Sequence, residues 1–175
     1  MTLGLRKHVY TARTRMPHPL STQDFNAIYS RVPRLCVEVV LVEASGVVLT
    51  KRAISPGEGL WHLPGGTFRF GETLAEAARR VARDEIGVEI ELLQQLGVIE
   101  YAFPNYAHWP VGIAYLAQPV SGDYRCDETA TEVRAYQVPD ELMEIDVIAA
   151  HRTFLLEHSD AIRSYVRAAN VGNVR

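Results

Sequence analysis

The feature that most constrains this chain is the stretch from Gly65 to Val88, which reads GGTFRFGETLAEAARRVARDEIGV. Thr73, followed three residues later by Glu76, predicts a capping box at the start of a helix. Apolar residues then recur at helical spacing and predict one buried face; they are Leu74, Ala77, Ala78, Val81 and Ala82. Glu85 borders this face, where a carboxylate is costly unless it is paired or bound to a metal.

Two glycines, Gly65 and Gly66, precede the helix. We expect them to adopt positive φ and to bring backbone carbonyls close to a ligand. Glu85 has four candidate partners, which are Arg80, Glu72, Asp84 and a hard cation such as Mg²⁺.

This stretch resembles the signature of the Nudix hydrolase family, G-x5-E-x7-R-E-U-x-E-E-x-G-U, in which U is aliphatic. Every gap of the signature is kept, and the matching positions are Gly66, Glu72, Arg80, Val81, Ala82, Asp84, Glu85, Gly87 and Val88. Two positions depart, because Val81 and Asp84 each replace a glutamate. Asp84 keeps a carboxylate, whereas Val81 puts a hydrocarbon where the glutamate of many family members helps to hold metals or acts as a base.

The resemblance implies hydrolysis of a nucleoside diphosphate-linked substrate with Mg²⁺ as cofactor and Mn²⁺ as an alternative. It assigns the principal metal to the Gly65 carbonyl and Glu85, and a second metal or a bound water to Asp84. Glu72 would pair with Arg80 or reach the metal through water. A structural interpretation stays open, in which the pair ties the helix to the preceding loop.

Within the family, the chain is similar to GDP-mannose mannosyl hydrolases. The shared features are a preceding helix, a Lys-Arg strand end and the run Gly-x-Trp-x-x-Pro-Gly-Gly from Gly59 to Gly66. That branch attacks the sugar carbon with one metal and a loop histidine as base. Ala130 or Thr131 stands at the corresponding position here, so this base does not carry over.

Three residues are candidates for a replacement base. Glu128 and Glu132 lie before the last predicted strand, and we favour Glu132 because the strand would fix it. His108 lies on another loop, where it could act as a base near neutral pH or contact a nucleobase or sugar. All three could also be plain loop residues. Arg52 ends a predicted strand and is either a diphosphate clamp or a solvated strand end.

The other aromatic and histidine residues can be explained by structural packing. Tyr101, Phe103, Tyr106 and Trp109 form an aromatic-rich segment that suits either packing or the stacking of a base. His62 is predicted to face the core or the neighbouring strand, and His151 and His158 are predicted to be structural.

The pattern of apolar residues predicts an α+β fold with a mixed sheet between helices. The resemblance implies the same architecture, a Nudix-type α/β/α sandwich. Strands are predicted over 35–43, 47–52, 90–101, 111–119 and 133–138, and helices from residue 21, over 147–157 and over 159–169. Residues 1–20 are predicted to form a basic N-terminal arm, and residues 21–175 a single domain.

The net charge of −3 argues against a surface that coats nucleic acid. No apolar run reaches the roughly 18 residues that a membrane helix needs, and the N-terminus lacks the apolar segment of a secretory signal. We therefore expect a cytoplasmic protein whose partner is a small-molecule nucleotide, without nucleic acid or membrane. The N-terminal helix and arm are compatible with a homodimer.

Three functions remain open at this point. The leading one is a nucleotide-sugar hydrolase with GDP-mannose as the first candidate. The second is a pyrophosphohydrolase that attacks phosphorus in ADP-ribose or a nucleoside triphosphate. The third is a non-catalytic Nudix-fold binding module, which Val81 and the missing histidine favour.

Overall fold

The computed structural model describes residues 20–101 and 108–172, with side chains placed as far as residue 168. The arm predicted over residues 1–20 lies outside this range except for its last residue, and Phe103 and Tyr106 also lie outside it. The elements in chain order are α1 (Thr22–Tyr29), β1 (Arg34–Glu43), β2 (Gly46–Arg52), β3 (Trp61–His62), β4 (Gly65–Thr67), α2 (Leu74–Ile86), β5 (Val88–Glu100), β6 (Pro110–Gly122), β7 (Ala130–Tyr136), a 3₁₀ helix (Asp140–Met143), α3 (Ala149–Glu157) and α4 (Ser159–Gly172).

The strands form one mixed sheet. Its order is β3-β2-β1-β6-β5, with β4 paired to β1 and β7 paired to β2. β1 and β6 run parallel, whereas the other described pairs are antiparallel. No helix among the described residues is long and apolar enough to cross a membrane.

Alternation along β1 divides the core between two faces of the sheet. Val37, Val39 and Leu41 belong to the apolar cluster that packs under α2. Val40 and Val42 belong to the other cluster, which includes side chains of α3 and α4. Because successive strand residues face opposite sides, β1 is buried on both faces. The predicted α+β sandwich with helices on both sides of the sheet is therefore confirmed.

Helix α2 begins and ends as its sequence predicts. Thr73 and Glu76 form the expected capping box, and Gly87 ends the helix with a φ of 78°. Burial of the helix matches the predicted apolar face, with Val81 fully buried. α1 is likewise capped by Ser21, whose side chain accepts a hydrogen bond from the Asp24 backbone N–H.

The glycines before α2 differ from expectation. Gly65 and Gly66 lie in strand β4, opposite Glu38 and Val37 of β1, and neither is among the glycines with positive φ. The prediction of positive φ was therefore wrong. At Gly65 the structural reason for glycine is space, because a Cβ there would lie 1.6 Å from Glu38 Oε2.

Helix α3 begins two residues later than predicted. Val147 forms an isolated bridge with Trp61, and the Ile148 N–H donates to the Trp61 carbonyl at 2.9 Å. These bonds hold residues 147 and 148 extended, so the helix starts at Ala149.

Candidate active site

A cleft of about 340 Å³ opens beside the start of β1 and the end of β2. Strands β1, β3 and β4 contribute to its lining, together with residues at the ends of β5 and β6 and the helix α3. Four buried polar side chains lie at its base and are called the polar floor below; they are Glu38, His62, Tyr101 and His151.

A chain of hydrogen bonds connects three residues of the polar floor. The Leu63 backbone N–H donates to His151 Nδ1 at 2.9 Å. Since Nδ1 is an acceptor, the neutral ring carries its proton on Nε2 and donates it to the Tyr101 hydroxyl at 2.5 Å. Tyr101 in turn donates to Glu38 Oε1 at 2.7 Å. One backbone amide of the strand connection thus orients a helix histidine, a tyrosine and a carboxylate.

His62 has the opposite tautomer. Its Nδ1 lies 2.7 Å from the Leu63 carbonyl and must donate to it, so Nε2 accepts from the Thr50 hydroxyl at 3.1 Å. Burial lowers the pKa of His62 to about 4 and lowers the pKa of His151 well below its ordinary value. Both rings are neutral at pH 7, which their hydrogen-bond partners require.

Glu38 lies where two glycines leave room for it. A Cβ on Gly65 would lie 1.6 Å from Glu38 Oε2, and a Cβ on Gly112 would lie 2.8 Å from Glu38 Cγ. Burial raises the pKa of Glu38 to about 8, and the charge of Glu85 raises it further, against the Tyr101 hydrogen bond. Glu38 was not predicted as a site residue. The signal available was a single acid within the buried apolar strand LCVEVVLV.

Glu85 approaches the same strand from the other side. Its Oε2 accepts a hydrogen bond from the Gly65 N–H at 3.0 Å, and its Oε1 faces Gly66 next to Val81. Successive residues of β4 face opposite sides of the sheet. Glu38 therefore lies on the α3 side of β4 and Glu85 on the α2 side.

A second acid acts on Glu85 from the loop before β7. Burial raises the pKa of Glu85 to about 8, and the charge of Asp127 adds to that rise. The Asp127 N–H also donates to the Glu85 backbone carbonyl at 3.2 Å. Asp127 was not predicted as a site residue, although it lies on the same segment as the predicted candidates Glu128 and Glu132.

The residues near Glu85 fit a divalent cation. Glu85 lies beside the Gly65 backbone, the charge of Asp127 acts on it unfavourably, and oxygen ligands of this kind suit Mg²⁺. Val81 adds nothing to such a site, because it is fully buried in the apolar cluster under α2. Among the described residues, no group of three His, Cys, Asp or Glu side chains could hold a metal by itself. A backbone carbonyl and substrate oxygens would complete the coordination.

Glu72 and Arg80 form a two-point ion pair. Arg80 donates from Nε and Nη2 to the two carboxylate oxygens at 2.9 and 2.7 Å, and Nη2 also donates to the Thr67 carbonyl at 3.0 Å. Glu72 accepts in addition from the Arg69 N–H at 2.6 Å. This arrangement fits the structural interpretation of the pair, which ties α2 to the loop after β4.

Two arginines line the cleft. Arg52 donates from Nε to the Pro56 carbonyl at 2.8 Å. Arg34, which sequence analysis did not single out, packs its guanidinium 5.7 Å from the centre of the Phe25 ring. Its Nε is buried without a hydrogen-bond partner among the described residues. The two positively charged side chains come from adjacent strands and face one cleft.

The other candidate residues are divided between the cleft and the surface. His108 lines the cleft, with its ring edge on Phe25 at 5.5 Å. Glu132 instead pairs with Lys51 at 3.1 Å and Arg134 at 3.0 Å on the surface of the sheet. Glu128 and Asp84 are exposed. Neither they nor Glu132 line the cleft.

Comparison with known proteins identifies the family. A 90-residue segment is 37% identical to the low-salt glycan biosynthesis protein Agl8 of Haloferax volcanii, covering 51% of this chain and 55% of that protein. The chain therefore spans about half of that relative. Over 138 residues it is 24% identical to the ADP-ribose pyrophosphatase of Methanocaldococcus jannaschii, covering 79% of this chain and 76% of the relative.

A Nudix hydrolase structure from Nitrosomonas europaea superposes with a TM-score of 0.65 at 23% identity, covering 76% of this chain and 73% of that one. At 23% identity this structural similarity is evidence for the fold alone. The family model described as the NUDIX domain matches residues 32–158, which include the whole cleft lining. The chain therefore belongs to the Nudix hydrolase family.

Proposed function

We propose that this protein is a Mg²⁺-dependent hydrolase of a nucleotide sugar, with GDP-mannose as the first candidate and Mn²⁺ as an alternative cation. The observation that carries the proposal is the division of the cleft into a basic part and a polar floor. Arg34 and Arg52 supply the positive charge, and Glu38 and its partners supply the floor. A diphosphate joined to an uncharged sugar has a charged part that suits the arginines and a neutral polar part that suits the floor.

The basic part of the cleft suits a diphosphate. Guanidinium groups form paired hydrogen bonds with phosphate oxygens, and Arg34 has a buried Nε without a described partner. Arg52 holds its Nε on the Pro56 carbonyl, which leaves its terminal nitrogens for a ligand. Together they would neutralise charge on the leaving nucleoside diphosphate.

The bound cation would be held by Glu85, Asp127 and the Gly65 carbonyl, and would neutralise the diphosphate and orient it. Asp84, which lies exposed on α2, is proposed to contact a bound water. The buried Val81 removes the helix carboxylate that many family members have at this position. Of our three candidate bases, His108 is the one that lines the cleft. We therefore assign it the role of the base that activates the attacking water.

The relatives support this assignment at a general level. The Haloferax protein is named for glycan biosynthesis, a process that uses activated sugars. The Methanocaldococcus protein is named for ADP-ribose, and this match favours a second candidate, a pyrophosphohydrolase that attacks phosphorus. Both substrates join a diphosphate to a sugar, which suits the divided cleft.

Product analysis in ¹⁸O-labelled water separates these candidates. The purified protein is incubated with GDP-mannose, ADP-ribose and a nucleoside triphosphate, with and without Mg²⁺. We expect GDP and labelled free sugar, and no turnover without the cation. Label in a phosphate product would instead establish the pyrophosphohydrolase. Absence of turnover with all substrates, with binding that does not need Mg²⁺, would establish the non-catalytic module.

A further inference from the structure

The polar floor contains one hydrogen-bonding atom without a described partner. Both ring nitrogens of His62 are occupied, as are both nitrogens of His151. The Tyr101 hydroxyl accepts from His151 and donates to Glu38 Oε1. Among residues 20–101 and 108–168, however, no group donates to Glu38 Oε2. Oε2 is not among the buried partnerless atoms of the described residues, which are Arg34 Nε and Arg152 Nε, so this oxygen is accessible from the cleft that Glu38 lines.

Glu38 cannot easily turn to find another partner. Its side chain is 5% exposed, and Tyr101 holds Oε1 through a chain that ends on the Leu63 backbone. On its two sides lie Gly65 and Gly112, each at a distance that leaves no room for a Cβ. Oε2 is therefore fixed in one position at the base of the cleft.

Glu85 does not account for this oxygen. It lies on the opposite side of β4, where its own carboxylate accepts from the Gly65 N–H. Arg34 and Arg52 do not account for it either, because neither forms a hydrogen bond with Glu38 among the described contacts. The free oxygen thus faces the space that a ligand would fill.

We infer that Glu38 Oε2 binds a sugar hydroxyl of the substrate. The inference rests on the proposed function and names the substrate group that reaches the polar floor. A phosphate would bring negative charge to an acidic side chain, which is unfavourable. A hydroxyl is neutral and can both donate and accept, so it satisfies Oε2 in either form of the carboxyl. The hydroxyl belongs to the ribose or to the distal sugar, since both flank the diphosphate.

The test combines a variant with substrates that lack single hydroxyls. Glu38→Met keeps the length of the side chain but removes Oε2. The value of kcat/KM is measured for GDP-mannose, for its analogue without the ribose 2′-hydroxyl, and for analogues that each lack one mannose hydroxyl. Buried hydrogen bonds to an ionisable group correspond to losses of about ten- to a hundredfold.

We expect Glu38→Met to lower kcat/KM for GDP-mannose by about this factor and to leave one deoxy analogue unaffected. The analogue on which Glu38→Met has no effect identifies the hydroxyl that Glu38 binds, and so distinguishes the ribose from the mannose. Equal losses on every analogue would overturn the inference and leave Glu38 a structural role. If Glu38→Met fails to fold, Glu38→Gln replaces it, and we expect a smaller loss that is again absent from the one analogue lacking the bound hydroxyl.

Glu43→Gln is the matched control, because Glu43 lies on the same strand but contacts Ser45 and Tyr124 outside the cleft. It should change none of the values. If the protein hydrolyses ADP-ribose and not GDP-mannose, the proposed nucleotide-sugar specificity fails, and the same cycle is run on deoxy analogues of ADP-ribose. If calorimetry detects no binding of either compound, both proposals fail together.

Discussion

The two sides of strand β4 hold two glutamates, the half-buried Glu85 and the buried Glu38, that differ in how they are partnered. On the α2 side, Glu85 accepts from the Gly65 N–H and feels the charge of Asp127. On the α3 side, Glu38 is held by Tyr101 and His151 and keeps one free oxygen. Burial raises the pKa of both carboxylates to about 8. The same strand therefore separates a site suited to a cation from a site suited to a neutral polar group.

This difference shows that burial alone does not define a metal site. A buried carboxylate is stabilised by a cation or by hydrogen-bond donors. Glu85 has one backbone donor and a nearby acid, which leaves negative charge to be neutralised. Glu38 has a fixed hydroxyl donor in Tyr101, and the acid that acts on it is Glu85. We expect a cation to bind beside Glu85 and an uncharged group to bind beside Glu38.

The largest expected effect follows removal of charge from the α2 side. Glu85→Gln should lower Mg²⁺-dependent turnover by about a thousandfold, since a catalytic cation contributes several kcal/mol. It should also weaken Mg²⁺ binding in calorimetric titration. Glu89→Gln is the control, because Glu89 pairs with Arg83 on the surface. Full activity of Glu85→Gln would show that the cation binds elsewhere, and the proposed difference between the two sides of β4 would be wrong.

A pH effect is expected on the α3 side. Burial lowers the pKa of His62 from 6.5 to about 4, so the unfolded chain binds the proton more tightly than the folded protein. The stabilisation is fully present above about pH 6.5 and is lost as pH falls towards 4. It is of the order of 3 kcal/mol, and His151 acts in the same direction.

The measurement is the free energy of unfolding in urea between pH 7 and pH 4. His62→Asn should flatten the loss of stability at acid pH, because its side chain does not titrate. His158→Asn should not, since that ring stacks on Phe154 away from the polar floor. The same steep loss in both variants would show that other groups cause the acid sensitivity.

A smaller difference is expected between the two glycines. Gly65→Ala would bring a Cβ to within 1.6 Å of Glu38 Oε2, whereas the nearest atoms to a Cβ on Gly66 are at 3.4 Å. Gly65→Ala must therefore displace Glu38 and should cost about 1–3 kcal/mol. Gly66→Ala should cost less than about 1 kcal/mol. Urea unfolding compares them, and equal costs would contradict the close contact with Glu38.

The smallest effect is expected outside the cleft. Glu132→Gln breaks surface ion pairs with Lys51 and Arg134, and such pairs contribute at most about 1 kcal/mol. Its kcat and KM should equal those of the unmodified protein. A large fall in kcat with an unchanged free energy of unfolding would show that Glu132 acts in catalysis. It would also contradict the role that we assign to His108.

Local patterns were sufficient for much of the fold. The caps of α1 and α2 and the buried face of α2 follow from contacts within a few residues, so the sequence predicts them. A strand was predicted around His62, where β3 lies, but the short strand β4 was missed, because three residues carry no periodic signal. Their pairing depends on β1 and β2, which supply the partner backbones.

The candidate site was predicted unevenly for the same reason. Glu72, Arg80 and Glu85 lie within one signature, so their spacing could be recognised along the chain. Arg34 and Asp127 belong to no local pattern, and Glu38 is marked only as a single acid within an apolar strand. Glu132 looked well placed because it adjoins a strand, but its side chain pairs with Lys51 across β2 and β7.

The sequence by itself determined the family, the α+β class and the helix that carries Glu85, because each depends on residue types at short, regular spacings. Tertiary structure decided which polar groups share the cleft. His151 meets the Leu63 amide across 88 positions and Tyr101 meets Glu38 across 63. Folding brings such distant side chains together through the packing of α3 on the sheet, and no pattern along the chain encodes that contact.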